Sequence, residues 1–572
     1  MREADGEYEL TGPLPALAIP STLHASLLAR LDRLASVKDV AQIGATIGRE
    51  FSYALIAAVA ALPERDLNTA LAQLVHAELI FQRGVPPDAT YQFKHALVQD
   101  AAYSSLIRSR RQQLHGLIGR ALVEQFPEIA DIEPEIVAHH YAQAGLADAA
   151  IDYWQKAGER AIRTSAYAEA VKHITNGIDL LRRLPSTITR MRQELEFQVA
   201  LGGACIASKG WGTSETGAAY VRAYELSRLT EDASQLPKIL AGRFVHHHVR
   251  ADVHQAQSAA NELLAFARGR RDAASEMMAH RALGDSLLHV GDPRGASAHL
   301  EEAIRILGPR PPAIIVGEDV RTAALAFLSL CLAFQGHVAA AEERGQEAIT
   351  RARALRDPHT VAFAFSVRCR ARCLLLDHKG LVQDVDRLHA LAIEHSLKLH
   401  QAHATTFRGW AMALEGRFAE GSALLELGIE GVKVAGSRFV LPFHGAMLAT
   451  AYQRTGRIEH GLTLIGNLLE LVERTGVRYM EAELHRVRAE LLVSSANVDE
   501  AEEALHRGLT IAREQQARTF ELRIATTLAR IWRNRGHSSK ARDLLAPICD
   551  WFGEIELADL NDAKEVVNSL RE

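Results

Sequence analysis

The chain is short of basic charge, of aromatic side chains and of long apolar runs, and each shortage closes a class of function. Lys and Arg number 65 against 70 Asp and Glu, a formal net charge of −5. The composition therefore offers no electrostatic case for nucleic acid, whose phosphates need a concentrated basic face. The longest apolar run, YALIAAVAAL at 53–62, is half of what a bilayer span needs. The opening MREADGEYELTGPLP is acidic and polar, unlike a secretory leader. Five cysteines in 572 residues follow no spacing rule, which suits a reducing compartment better than a disulfide framework. The expectation is a soluble, cytoplasmic, intracellular protein without a membrane segment.

What is present is alanine and leucine. Hydrophobic residues make up 48% and charged residues 24%, with aromatics at 6%, a folded composition weighted toward helix. The length exceeds a single core and predicts several domains or an extended array. From about 131 to 552 the chain reads as amphipathic helices joined by short turns, and the turns recur. Gly291 is followed five residues on by Ala296, Gly336 by Ala341, Gly416 by Gly421, Gly456 by Gly461, Ala496 by Ala501, and Gly536 by Ala541. From 416 to 456, 496 and 536 each interval is 40 residues, and the gap from 336 to 416 leaves room for one degenerate copy near LLLDHKGLVQD. Gly145 and Ala150 repeat the pair at the front. The first small residue suits a left-handed helix end, and the second lets two helix axes approach. Two helices of roughly 15 residues and two turns fill such a period. The predicted fold is all-α: a right-handed solenoid of helical hairpins, like tetratricopeptide repeats but longer per repeat.

The first part differs. IPSTLHASLLARLDRL at 19–34 carries a leucine stripe behind Pro20, and helical segments follow in VKDVAQIGATI, YALIAAVAAL and ERDLNTALAQLVHAEL. Strand-like LIFQRG and TYQFKH flank VPPDA, a turn by its prolines. Helices followed by a β-hairpin is winged-helix order. The expected organisation is a tail at 1–18, a winged-helix domain at 19–126 whose last helix runs from His95 to about Phe126, a solenoid at 131–552, and a capping helix at 553–572.

The segments IGATIGREFSY, YQFKHALVQDAAYSSLIRSRRQQLH and IVAHHYAQAGLADAAIDYWQKAGERA, in this order and together with SKGWGTSETGAAYVRAYELS and the closing LLAPICDWFGEIELADLNDAKEVVNSL, resemble the C-terminal half of large bacterial signalling proteins. Those proteins join a class III adenylate/guanylate cyclase domain, a STAND-type ATPase module and a tetratricopeptide-like array. The family's P-loop has no counterpart here, since GWGTSETG at 210–217 has glycines but no Lys-Ser/Thr. Nothing resembles the cyclase metal aspartates either. The resemblance therefore implies a non-catalytic regulatory half with a protein or peptide on its concave face. It also implies a cyclase/ATPase module as a possible partner, no cofactor of its own, and ADP or ATP only within a complete ATPase module. Two other readings stand beside it: part of an adenylate cyclase whose catalytic domains lie elsewhere, and a winged-helix transcriptional regulator. For the latter, ERDLNTALAQLVHAEL would be a poor recognition helix, with one arginine and three acids.

By the resemblance, His95 is the candidate for sensing a nucleotide β-phosphate, in a first helical turn where backbone N–H groups favour an anion. The alternative is a neutral junction residue. Arg108, thirteen residues on, lies about 20 Å away along an unbroken helix, so the arginines of IRSRRQQLH are expected to face solvent or another domain. VHHHVRADVH at 245–254 is read as solvated helix surface, with no carboxylate to complete a metal site on His247 and His254. Cys369 and Cys373 of CRARC are read as packing residues. No catalytic or metal-binding residue is assigned.

Overall fold

The computed structural model describes residues 2–4, 7–9, 37–164, 166–307, 314–315 and 318–570, so the helix expected at 19–34 lies outside the described residues. The chain divides into two compact units, 1–185 and 186–572.

In the first unit, Arg2–Ala4 pairs antiparallel with Glu7–Glu9. Helix Lys38–Ile47 leads into strand Glu50–Ser52, helices Tyr53–Ala60 and Glu64–His76, and the hairpin Ile80–Arg83 with Thr90–Phe93. Thr90–Phe93 is the middle of three antiparallel strands, bonded to Ile80–Arg83 on one side and to Glu50–Ser52 on the other. The added strand is three residues long, too short for alternation to reveal it. Ser52 ends the strand and starts the next helix, its Oγ accepting the Leu55 N–H at 3.1 Å. Phe51 packs on Tyr91 and Phe93 at ring distances of 5.7 and 5.8 Å, which anchors the sheet.

The helix expected to run unbroken from His95 is two helices, Ala96–Ser104 and Arg108–Gln125. Ser105 Oγ donates to the Ala102 carbonyl at 2.6 Å and accepts from Gln42 Nε2 at 2.8 Å. Consecutive serines compete for backbone groups in this way, and Ile107 turns extended with ψ 152°. Arg111 then donates to the Ser104 carbonyl at 2.8 Å and lies 4.9 Å from the centre of the Tyr103 ring. Arg108 is exposed, whereas Arg111 fastens the break and does not face solvent alone. Helices Pro127–Ile132, Pro134–Ala144, Ala147–Arg163 and Tyr167–Leu181 complete the unit, with Gly145 at φ +80° and Ala150 fully buried.

The second unit is a solenoid of helical hairpins. Ala251, Gly291, Gly336, Leu376, Gly416, Gly456, Ala496 and Gly536 all have positive φ, and successive positions are 40 residues apart except for 45 between Gly291 and Gly336. The degenerate copy is in register: Leu376 makes the left-handed turn and Leu381 is fully buried where other copies place a small residue. A further copy, at Ala251 and Ala256, stands between the pair read at Gly145 and Ala150 and the one at Gly291 and Ala296. Among the described residues the other turns between helices follow the same rule at Arg271, Arg356, Ser396, Gly436, Gly476 and Gln516. At the small positions the backbones nearly touch: a Cβ on Gly421 would lie 2.6 Å from the Gly409 carbonyl oxygen.

The first helix of a hairpin is not simply amphipathic. Val320–Phe334 and Pro358–Leu374 are buried on nearly every face. Distant repeats close over them. The Arg438 N–H donates to the Val249 carbonyl at 2.6 Å, the Tyr479 N–H to His289 at 3.2 Å, and Thr519 Oγ1 to Ala333 at 2.6 Å. In each case a donor some 190 residues later reaches a carbonyl in the last turn of a helix; those of Val249 and His289 are groups left orphaned by helix geometry, whereas the Ala333 carbonyl also accepts the Gly336 N–H at 3.2 Å.

Candidate functional site

Two sites in the second unit and one polar chain in the first emerge from this packing. The larger site is a cavity of about 240 Å³ among the first helices of the later hairpins and the closing helix Ala558–Ser569. Leu414, Phe443, Met447, Met480 and Phe520 make an apolar floor. The rim carries both charges. Arg486 pairs with Glu483 at 2.7 Å, Arg523 with Asp559 at 2.8 Å, and Arg530 with Asp562. Burial raises the Asp559 carboxyl despite Arg523. Burial also works against ionised Glu483, but Arg486 and Arg523 hold that carboxyl below its usual range. Trp410 lines the same cavity, and its buried indole N–H has no hydrogen-bond partner. An open donor above an apolar floor and a rim of alternating sign is a surface that can take a side chain and main-chain carbonyl together.

The second site is where VHHHVRADVH ends. His246 Nδ1 lies 3.1 Å from the Trp211 carbonyl and His247 Nδ1 lies 3.1 Å from Asp252. His248, expected at the surface, is buried. The carboxylate expected to be absent beside His247 is Asp252, and a second one reaches His248 from the next hairpin: Asp285 Oδ1 is 3.4 Å from His248 Nε2 and 3.1 Å from His289 Nδ1. Phe439 and Tyr479 cover His289 at ring distances of 4.8 and 4.9 Å. Burial pushes the His248 imidazole down to about 3; Asp285 opposes that shift, and His289, Arg281 and Arg370 add to it. The donor atoms of His248, Asp285 and His289 lie within 4.8 Å of one another, close enough to face one cation. Arg281 and Arg370 add positive charge beside these three groups. The source of Arg370 is VRCRARC. Arg368 and Arg372, one turn apart, both donate to Asp384 Oδ2 at 2.7 Å, and Arg370 between them points to the other face. Cys369 and Cys373 are buried, and burial raises both thiols.

GWGTSETG serves as a close-approach loop. A Cβ on Gly212 would fall 2.6 Å from the Gly436 carbonyl oxygen, and Arg250 donates to the Gly212 carbonyl at 3.0 Å.

In the first unit, His95 is the residue before helix Ala96–Ser104; it is exposed and its side chain makes no capping bond. The polar chain lies beyond it. Tyr103 OH is 3.0 Å from His115 Nε2, and His115 Nδ1 is 2.8 Å from His140 Nδ1. Both imidazoles are buried, and burial lowers them to about 4 and 3, with neighbouring histidines adding to each shift. RQQLH and VAHHY, read separately along the sequence, are one hydrogen-bonded unit in space.

Among the described residues no helix is long and apolar enough to cross a membrane. No protein-family model matches the chain. It is 25% identical over 521 residues to an uncharacterized protein of Rhizobium meliloti (strain 1021), a match covering 86% of this chain and 48% of that one. The chain thus spans about half the length of that relative. Among solved structures it is similar to a Rap protein complexed with competence and sporulation factor, at 12% identity and a TM-score of 0.48, over 65% of this chain and 98% of that one. It is also similar to the APC/C hetero-tetramer Cut9–Hcn1, at 12% identity and a TM-score of 0.46, over 90% of this chain and 92% of that one. A STAND protein with a tetratricopeptide repeat sensor from Pyrococcus horikoshii is similar at 10% identity and a TM-score of 0.37, over 85% of this chain and 65% of that one.

Proposed function

We propose that the chain is a non-catalytic sensor and interaction scaffold whose second unit takes an extended segment of a protein partner into the cavity under Trp410. The observation that carries this reading is the joint presence of an apolar floor, a rim of both charges and an unpartnered buried indole N–H. Stacked hairpins commonly use the inner faces of their helices for such partners. The test is a random-peptide display selection on the purified chain, repeated on Trp410→Phe and Arg530→Glu. Peptides enriched on the parent protein should lose at least about tenfold in affinity on either variant, the scale of a buried hydrogen bond or charge contact. Equal binding by all three proteins would reject the cavity as the site.

The resemblance to cyclase–ATPase signalling proteins extends the proposal. Occupancy of the array would bias a nucleotide-binding module, and His95, exposed at a helix start, would sense its phosphate. The order helix, strand, two helices and hairpin supports reading the early part of the chain as a winged-helix module in that assembly. The competing reading, cyclic-nucleotide synthesis by this chain itself, is tested by incubating it with ATP and a divalent metal. Cyclic AMP formation would overturn the non-catalytic proposal.

A further inference from the structure

A small cavity of about 40 Å³ lies where helices Leu236–Val249, Pro358–Leu374 and Lys398–Leu414 meet the turn that carries Ser437. Trp211, Phe244, Phe327, Phe363 and Phe439 form its aromatic walls. Trp211 is only partly buried, so this wall reaches the surface. A neighbouring cavity of about 30 Å³ shares Trp211, Phe244, Val245 and Arg281 with it. The first alone exceeds the roughly 10–15 Å³ that one water needs, and it has room for a compact body of a few heavy atoms.

The charged groups at the cavity are already engaged. Asp285 Oδ1 faces His248 Nε2 at 3.4 Å and His289 Nδ1 at 3.1 Å. Arg281 and Arg370 each interact with neighbouring groups, the Phe327 ring among them. Two polar atoms are left over. His403 Nδ1 and Ser437 Oγ line the cavity, are buried and have no hydrogen-bond partner among the described residues, and their residues are 7% and 2% exposed. The adjacent pair is satisfied, since Ser366 Oγ lies 3.0 Å from His400 Nδ1. Leaving a buried polar atom unmet costs about 1–3 kcal/mol, so an occupant is expected. A buried water keeps about two to four polar partners, and waters filling this space would meet two open atoms and five rings. Both open groups are neutral: burial holds the His403 imidazole well below its usual range, and His444 and Arg370 add to the shift. A neutral imidazole nitrogen donates or accepts according to its tautomer, and a serine hydroxyl does both. One hydroxyl on an apolar body meets both atoms and brings no charge to desolvate.

We propose that this cavity binds a compact neutral alcohol, its hydroxyl on His403 Nδ1 and Ser437 Oγ and its apolar body among the aromatic walls. Ser437 adjoins Arg438, whose N–H donates to the Val249 carbonyl at 2.6 Å. An occupant thereby fastens the closure of a late repeat on an early one. The proposal is independent of the cavity under Trp410.

The test is calorimetric titration of the full chain with cyclopentanol, with cyclopentane, and with cyclopentylamine, which has the shape of the alcohol but is charged at neutral pH. Cyclopentanol should bind saturably, and cyclopentane should be weaker by at least about fivefold, the scale of one neutral hydrogen bond. Cyclopentylamine should not saturate the site. Ser437→Ala should weaken cyclopentanol by about fivefold or more and leave cyclopentane unchanged. Absence of saturable cyclopentanol binding would mean that the cavity holds water only, and it overturns the proposal. Equal affinity for alcohol and hydrocarbon, amine binding as tight as that of the alcohol, or cyclopentanol affinity untouched by Ser437→Ala would each do the same. Should Ser437→Ala not fold, the ratios among the three compounds on the parent protein still decide it.

Discussion

His140, His248 and His444 stand at about 3, pushed down by burial, against 6.5 for an exposed imidazole. The unfolded chain takes up protons at these positions below pH 6.5, whereas the folded chain takes them up only near pH 3. Stability is therefore unaffected above pH 6.5 and falls on acidification, by about 1.4 kcal/mol per pH unit for each histidine in that window. Urea unfolding at pH 7.5 and pH 5.0 should show a clear drop in midpoint, and a flat response would contradict burial in the neutral form. Asp384 supplies a second residue-scale expectation. It is 1% exposed and holds Arg368 and Arg372. Asp384→Asn leaves buried Arg368 short of its counter-charge, while Arg372 keeps Glu342 and Asp377, and should cost about 3 kcal/mol by denaturant titration. Neither environment could be read locally. HHH and CRARC show residue types at helical spacing, but Asp285 arrives from the next hairpin, and only about half a turn of helix separates the arginines on Asp384 from the one that faces inward.

At the scale of the element, each hairpin turn is set by one residue in the left-handed region. Ala496 holds that conformation at φ +63° while exposed. Ala496→Gly should therefore stabilise the protein by about 1 kcal/mol, seen as a higher melting temperature. Gly421→Val should do the reverse and strongly, because a Cβ there meets the Gly409 backbone, which cannot move aside as a side chain can; a loss above about 3 kcal/mol is expected. This layer was the legible one. A period of 40 residues survives even where Leu376 replaces glycine, because the turn demands a conformation and tolerates a poorer residue in it. The helix expected from His95 to Phe126 failed for the opposite reason. Its break depends on Gln42 and Arg111 reaching Ser105 and Ser104, and periodicity carries no mark of partners outside the window.

For the second unit as a whole, contacts about 190 residues apart add to those between neighbours. A solenoid with nearest-neighbour contacts alone can unfold piecemeal, whereas here early helix ends are capped by later repeats. Tyr479→Ala removes a ring that lies 4.9 Å from His289 and 6.0 Å from Phe334. The expected cost is about 3–5 kcal/mol. Hydrogen exchange should show helices Ala273–Val290 and Glu481–Ser494 losing protection together; loss confined to the later helix would mean that the closure carries no energy. The all-round burial of Val320–Phe334 belongs to this scale too, and so it escaped a reading made from local patterns.

Arg438 on Val249, Tyr479 on His289 and Thr519 on Ala333 have a further consequence, for descent. An array whose copies touch only their neighbours can gain or lose one by unequal recombination and still fold. In this protein, removing a hairpin between the paired positions would present every early helix end with the wrong later partner. Its number of repeats is thereby locked, and divergence is left to proceed by substitution and by short insertions such as the five extra residues between Gly291 and Gly336.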